Sequence, residues 1–150
     1  LVTNMAFGLY YDLDEVPVVG ARAAGVKSIN LKADDFVVDG LILDRGEDVT
    51  ITIVTQRGSI KRMKVSELSK LGRAKRGLMV LRELKSNPHR VFSVVKNQDN
   101  KMIHIVAENN KVYQVNYKDL PINDRQSNGS FIIDEKQDGS VKEVFTEIIE

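Results

Sequence analysis

Three glycines, Gly25, Gly77 and Gly129, stand 52 positions apart, and the chain around them repeats with the same period. VGARAAGVKSINLK, from Val19 to Lys32, aligns with LGRAKRGLMVLREL, from Leu71 to Leu84, and with NDRQSNGSFIIDEK, from Asn123 to Lys136. Upstream, Asp14-Glu15-Val16 falls on Ser66-Glu67-Leu68 and on Lys118-Asp119-Leu120. A constant period of this length marks an array of small units. The repeats run over about 1–47, 48–99 and 100–150.

Within a unit the segments are short and β-like. DVTITIVT (Asp48 to Thr55) alternates Val, Ile and Ile with Thr, as a half-buried strand does, and ends at the turn Gln56-Arg57-Gly58. KMIHIVA (Lys101 to Ala107) does the same, and Asn110 replaces Gly58 as a residue that accepts a positive φ. Strands are expected next over Ser59 to Val65 and Lys111 to Tyr117. After each repeated glycine the pattern predicts another, over Val26 to Leu31, Leu78 to Leu84 and Ser130 to Ile133. A last set falls on Phe36 to Leu43, Val91 to Lys96 and Val141 to Phe145. Apart from a short turn near Leu68, no segment sustains a helical period. Four short strands per unit of about 50 residues predict an all-β, propeller-like array of about three four-stranded blades. Val2-Thr3 matches Val54-Thr55, so the chain is expected to open partway through a unit and to be a piece of a larger ring or open array. The charged tail Asp134 to Glu150 is expected to blunt an exposed sheet edge.

Charge is dealt unevenly among the copies. Residues 57–90 hold eleven Lys and Arg against two acids, a net +9 in a chain of net +1. Residues 1–56 and 119–150 each carry a net −5. Cations gathered in this way beside Gly72 and Gly77 point to a loop laid against a polyanion, and the phosphate backbone of nucleic acid is the commonest one.

Bond-making chemistry has no visible constellation. His104 lies mid-strand between two isoleucines and reads as structural, and His89 follows Pro88 in a turn with no evident partner. No phosphate-binding Gly-Lys-Ser/Thr loop, dinucleotide fingerprint or metal-ligand spacing occurs. The acidic pairs Asp34-Asp35 and Asp134-Glu135 lack the spacing of a calcium loop. The chain has no cysteine for a disulfide or thiolate zinc site, and no run near the roughly 20 apolar residues that cross a bilayer. No cofactor, metal or membrane partner is expected.

GARAAGVKSINLKADDFVV and TQRGSIKRMKVSELSKLGRAKRG resemble the repeats of the C-terminal domain of bacterial type IIA topoisomerase A subunits. The spacing and GLYYDLDEVP are closer to the topoisomerase IV form, as in low-GC Gram-positive bacteria, than to the gyrase form. The likeness covers nearly the whole chain and is strongest in the second copy. It implies a β-pinwheel whose blades exchange strands. It also implies sequence-independent binding and bending of double-stranded DNA around a basic rim, presenting the duplex to a catalytic core for strand passage, decatenation and supercoil relaxation. Implied partners are the DNA phosphate backbone, the ATPase subunit, and the N-terminal catalytic region of the same polypeptide, in the cytoplasm with the nucleoid. The gyrase box, a Gln-Arg-Arg-Gly-Gly-Lys-Gly type loop, is not found; Gly72 to Gly77 is the generic blade loop. The third copy keeps Arg125 and Gly129 but carries Tyr113-Gln114 where Lys61-Arg62 stand.

The expected DNA-contacting residues are, first, Arg73, Lys75 and Arg76, set between two glycines that let backbone amides approach phosphate. Next come Lys61, Arg62 and Lys64, whose alternation along a strand lets only one face meet DNA, and then Arg22, Lys27 and Lys32 of the first copy. Arg57, Arg82 and Lys85 complete the set. The plainer reading of each is an ordinary solvated surface cation. A function of another class, a protein-interaction platform built on the acidic first and last copies, is the alternative.

Overall fold

The computed structural model describes all 150 residues as eleven strands, three 3-10 turns and one helical turn, arranged in three antiparallel sheets. The first sheet holds β1 (Val2–Thr3), β2 (Phe7–Gly8) and β3 (Val37–Asp39), with β6 (Leu78–Met79) on the outer side of β2. In the second, β4 (Thr50–Thr55) lies between β5 (Ser59–Lys64) and β7 (Val91–Lys96), and β10 (Ser130–Phe131) pairs with β5. The third is β11 (Val141–Ile148), β8 (Lys101–Ala107) and β9 (Val112–Val115).

Strand exchange ties the units together. β6 belongs to the second copy yet completes the first sheet, with Met79 opposite Phe7 and Leu78 opposite Gly8. β10 does the same one repeat later, placing Phe131 opposite Ser59 and Ser130 opposite Ile60. The apolar pattern explains the stacking of the sheets. On β4, Ile51 and Ile53 point into a core shared with Val2, Ala6, Leu68 and Val80, whereas Val54 points into a second core with Ile60, Ile103, Ile105 and Ile133. Each core therefore lies between two sheets, and a middle sheet must be apolar on both faces.

That geometry overturns the expectation of a half-buried strand over Asp48 to Thr55: the strand runs over Thr50–Thr55 and is covered on both faces. Thr52 and Thr55 are as buried as the isoleucines, since sheets cover both sides. Their hydroxyls are satisfied locally: Thr52 Oγ1 donates to Asn97 Oδ1 at 2.7 Å, and Thr55 Oγ1 lies 3.0 Å from His89 Nδ1.

Several boundaries also differ. The strand expected over Leu78 to Leu84 is two residues long, and Phe36 to Leu43 shortens to Val37–Asp39. Val141 to Phe145 instead extends to Ile148, so the expected tail supplies an edge strand itself, with Lys142, Glu143 and Glu147 on it. Val26 to Leu31 forms no strand. It has no sheet to join and runs beside the second copy's loop, where Ala74 N–H donates to Ser28 O at 3.0 Å and Asn30 N–H to Lys75 O at 2.9 Å. The third sheet has three strands, because nothing pairs with the outer edge of β9. The turn positions follow the repeat, with positive φ at Ala6, Gly58 and Asn110.

Candidate nucleic-acid interface

The eleven cations of 57–90 divide sharply by environment. Lys61 is 1% exposed, opposite Ile53 on the face of β5 that Met63 turns into the first core. Its ammonium donates to Val80 O (2.6 Å), Asp124 O and Ser127 O (both 2.9 Å), and to Arg125 O. Burial pushes its pKa down to about 8, against a smaller upward pull from Glu67. It cannot reach a phosphate, and its expected place in the DNA-contacting set is corrected: it holds the third copy's loop onto the second sheet.

Arg62 and Arg57 are also engaged. Arg62 Nε donates to Thr50 Oγ1 at 3.1 Å, and its guanidinium lies 5.0 Å from the Tyr117 ring centroid. Arg57 makes a two-pronged pair with Glu135 (2.8 and 3.1 Å), donates to Asn87 O at 2.7 Å and caps the Phe131 ring. That hydrogen bond holds the Glu135 carboxyl below the usual range. Both arginines join the second copy to the third.

Arg73, first among the expected contacts, is a clamp between the first two copies. Its backbone N–H donates to Glu15 Oε1 at 3.1 Å, its Nε to Glu15 O at 2.9 Å and its Nη1 to Lys27 O at 2.6 Å. One repeat later two of the three contacts recur: Arg125 N–H donates to Glu67 Oε2 at 2.5 Å and Arg125 Nη1 to Met79 O at 2.6 Å. The recurrence of Arg73 with Arg125, and of Glu15 with Glu67, at the repeat spacing is the sequence signal of this clamp. Lys70 pairs with Asp12 at 2.9 Å, and Arg90 with Glu83 at 3.3 Å.

What remains is a set of exposed cations with no ion-pair partner: Lys64, Lys75, Arg76, Arg82 and Lys85 from the second copy, with Arg22, Lys27 and Lys32 from the first. The Arg73 clamp brings the Lys27 backbone against the loop that carries Lys75 and Arg76, so cations of two copies meet at one junction. Lys27 Nζ is lightly held by Asn30 Oδ1 at 3.1 Å, and Lys32 Nζ lies 5.0 Å from the Phe7 ring centroid. At the next junction Asn128 pins the Arg82 backbone from both sides, donating to its carbonyl and accepting from its N–H. Sequence reasoning misses that residue, because a lone Asn in a loop gives no distinguishing signal.

Comparison with known proteins gives the same assignment. The family described as DNA gyrase C-terminal domain, beta-propeller, matches residues 1–44 and 50–97. The chain is 48% identical over 97% of its length to the A subunit of DNA topoisomerase 4 from Bacillus subtilis (strain 168), covering 18% of that protein. It is 39% identical over 98% of its length to the Streptococcus pneumoniae serotype 4 protein of the same name, covering 20% of it. The chain thus spans about a fifth of these relatives. A solved C-terminal domain of DNA topoisomerase IV superposes with a TM-score of 0.90 at 43% identity, over 98% of this chain and 45% of that one. A DNA gyrase A C-terminal domain shares the fold, with a TM-score of 0.78 at 19% identity, over 98% of this chain and 49% of that one. Three sheets, two of them completed by a strand of the next copy, a repeated arginine clamp and these matches lead to one conclusion: the chain belongs to the gyrase C-terminal β-propeller family, as the C-terminal domain of a type IIA topoisomerase A subunit of the topoisomerase IV kind.

Proposed function

We propose that the chain is a non-catalytic module that binds duplex DNA through its phosphates, without reading base sequence, and bends it along the junction of the first two copies. The supporting observation is the set of exposed, unpaired cations led by Lys75 and Arg76, beside a loop that the Arg73 clamp holds rigid against the first copy. Preorganised cations on a fixed loop lose little entropy on binding. Lys75 and Arg76 stand on an exposed surface suited to a rail of phosphates, so affinity comes from neutralised charge and released counterions. In the parent enzyme this module presents DNA to the N-terminal catalytic region and the ATPase subunit, in the cytoplasm.

Measured by fluorescence anisotropy on unrelated duplexes, log K is expected to fall linearly with log salt, with a slope of about −0.9 per phosphate neutralised. The double change Lys75→Ala with Arg76→Ala should flatten that slope by about 2 and weaken every duplex alike. Loss that depends on base sequence, or no binding at low salt, contradicts the reading; the latter outcome favours the protein-interaction platform. Replacing Lys136 and Lys142 by alanine should leave affinity within about twofold, because both belong to the acidic third copy.

A further inference from the structure

Resting on the DNA reading above, we propose that the loop between the first two copies carries a main-chain seat for one phosphate of the duplex, formed by the N–H groups of Lys75, Arg76 and Gly77, and that the repeat-equivalent seat at the next junction is closed. Both loops are bonded only by the copy that precedes them, and the chain contains that copy in each case.

At the first junction the loop spends its inner groups on the first copy. Ala74 N–H donates to Ser28 O, Lys75 O accepts from Asn30 N–H, and the Arg73 guanidinium donates to Glu15 O and Lys27 O. The next three N–H groups, of Lys75, Arg76 and Gly77, have no partner in the protein. Positive φ at Ala74 (65°) and Gly77 (97°) brackets them, and successive N–H groups in such a turn make a concavity that suits an anion. Lys75 and Arg76 are both exposed, so an oxygen seated on the amides meets two cations as well.

One repeat later the same positions are Ser127, Asn128 and Gly129, and two of the three N–H groups are already taken. Ser127 N–H donates to Asp124 O at 3.1 Å, and Gly129 N–H to Ser127 Oγ at 3.0 Å. Gln126, in the place of Ala74, has no positive φ. The side chains change in the same sense: Ser127 and Asn128 stand for Lys75 and Arg76, and Asn128 is spent on the Arg82 backbone. Asp124 replaces Gly72 with an exposed carboxylate that has no ion-pair partner and repels a phosphate. An open cleft of about 700 Å³ lies there between Arg82 and the loop, so the second junction is closed by chemistry and not by want of room.

Amide signals followed by NMR during titration with a short mixed-sequence duplex test the seat. Those of Lys75, Arg76 and Gly77 should move downfield together as they gain an acceptor, while those of Ser127 and Gly129 stay in place. In the Lys75→Ala, Arg76→Ala variant the three N–H groups remain and should still move, at a higher DNA concentration. Asp124→Asn with Ser127→Lys removes the carboxylate, frees Gly129 N–H and adds a cation, and should steepen the salt slope by about 1. Gln137→Lys with Glu143→Gln makes the same change of charge elsewhere on the third copy and should leave the slope unaltered. Salt-sensitive binding with the amides of 75–77 unmoved overturns the seat and leaves the DNA reading standing; no binding at all overturns both. Equal movement at Ser127 and Gly129, or equal slopes for the two charge-matched variants, overturns the closure of the second seat.

Discussion

Replacing Lys61 by alanine is expected to destabilise the chain by about 3–5 kcal/mol, a large share of the roughly 5–15 kcal/mol typical of a domain. The side chain fills the space between β5 and the loop at 124–127, and its ammonium shares three N–H donors among four backbone carbonyls, one of them on the buried Val80. Truncation opens a cavity and takes the ammonium donor from carbonyls of which only Asp124 O keeps a backbone partner, the Ser127 N–H, so transfer, cavity and unsatisfied-group costs add. Lys61→Met keeps most of the stem and should cost less, separating the packing part from the charge part. Denaturant unfolding of both variants measures the difference.

The same position gives a pH signature. Below about pH 8 Lys61 is charged in both the folded and unfolded chain; between about 8 and its ordinary 10.5 the unfolded chain binds the extra proton. Stability relative to Lys61→Met should therefore rise with pH through that window, by at most about 1.4 kcal/mol per pH unit. A gap that shrinks as pH rises would place the shift in the wrong direction. The Met variant, assayed where it is folded, should keep the wild-type salt slope for DNA, unlike the Lys75 and Arg76 double variant.

Gly129→Ala is the second large effect. A non-glycine residue at φ +67 costs about 1–2 kcal/mol on its own, and here the new Cβ would also overlap the Ile60 carbonyl and crowd the Lys61 side chain. Ile60 pairs with Ser130 in the exchanged strand, so the overlap is relieved only by parting β10 from β5. The expected loss is about 3 kcal/mol or more. Gly77→Ala should behave alike, because Gly8 O occupies the same place at the first junction. Gly25→Ala, with open space around it, should show only the conformational cost of about 1 kcal/mol. Equal losses at all three positions would refute the carbonyl contact as the cause.

Local pattern carried much of this architecture. The 52-residue period, the strands over Thr50–Thr55 and Lys101–Ala107, and the turn at Asn110 each follow from constraints within a few residues, and each is present in the structure, although the alternation of Thr with Ile did not foretell that β4 is buried on both faces. The family likeness implied the exchanged strands, and the pairings of β6 and β10 show them. The candidate site was legible only as a concentration of charge. Lys61 and Lys64 are both lysines on one strand, yet one is sealed under a loop more than 60 residues away and the other is in solvent.

By itself, then, the sequence determined that the chain is a repeated β array with its positive charge in the middle copy, because period, alternation and composition are properties of neighbouring residues. Only the tertiary structure decided which cations are available to a ligand. A charged side chain bonded to carbonyls of the adjacent repeat is lost to the surface, and whether such carbonyls lie within reach depends on how the sheets stack. For Lys61, Arg62 and Arg73 they do, Arg57 is held instead by the Glu135 carboxylate of the third copy, and these residues join the blades; for Lys75 and Arg76 no such partner lies within reach.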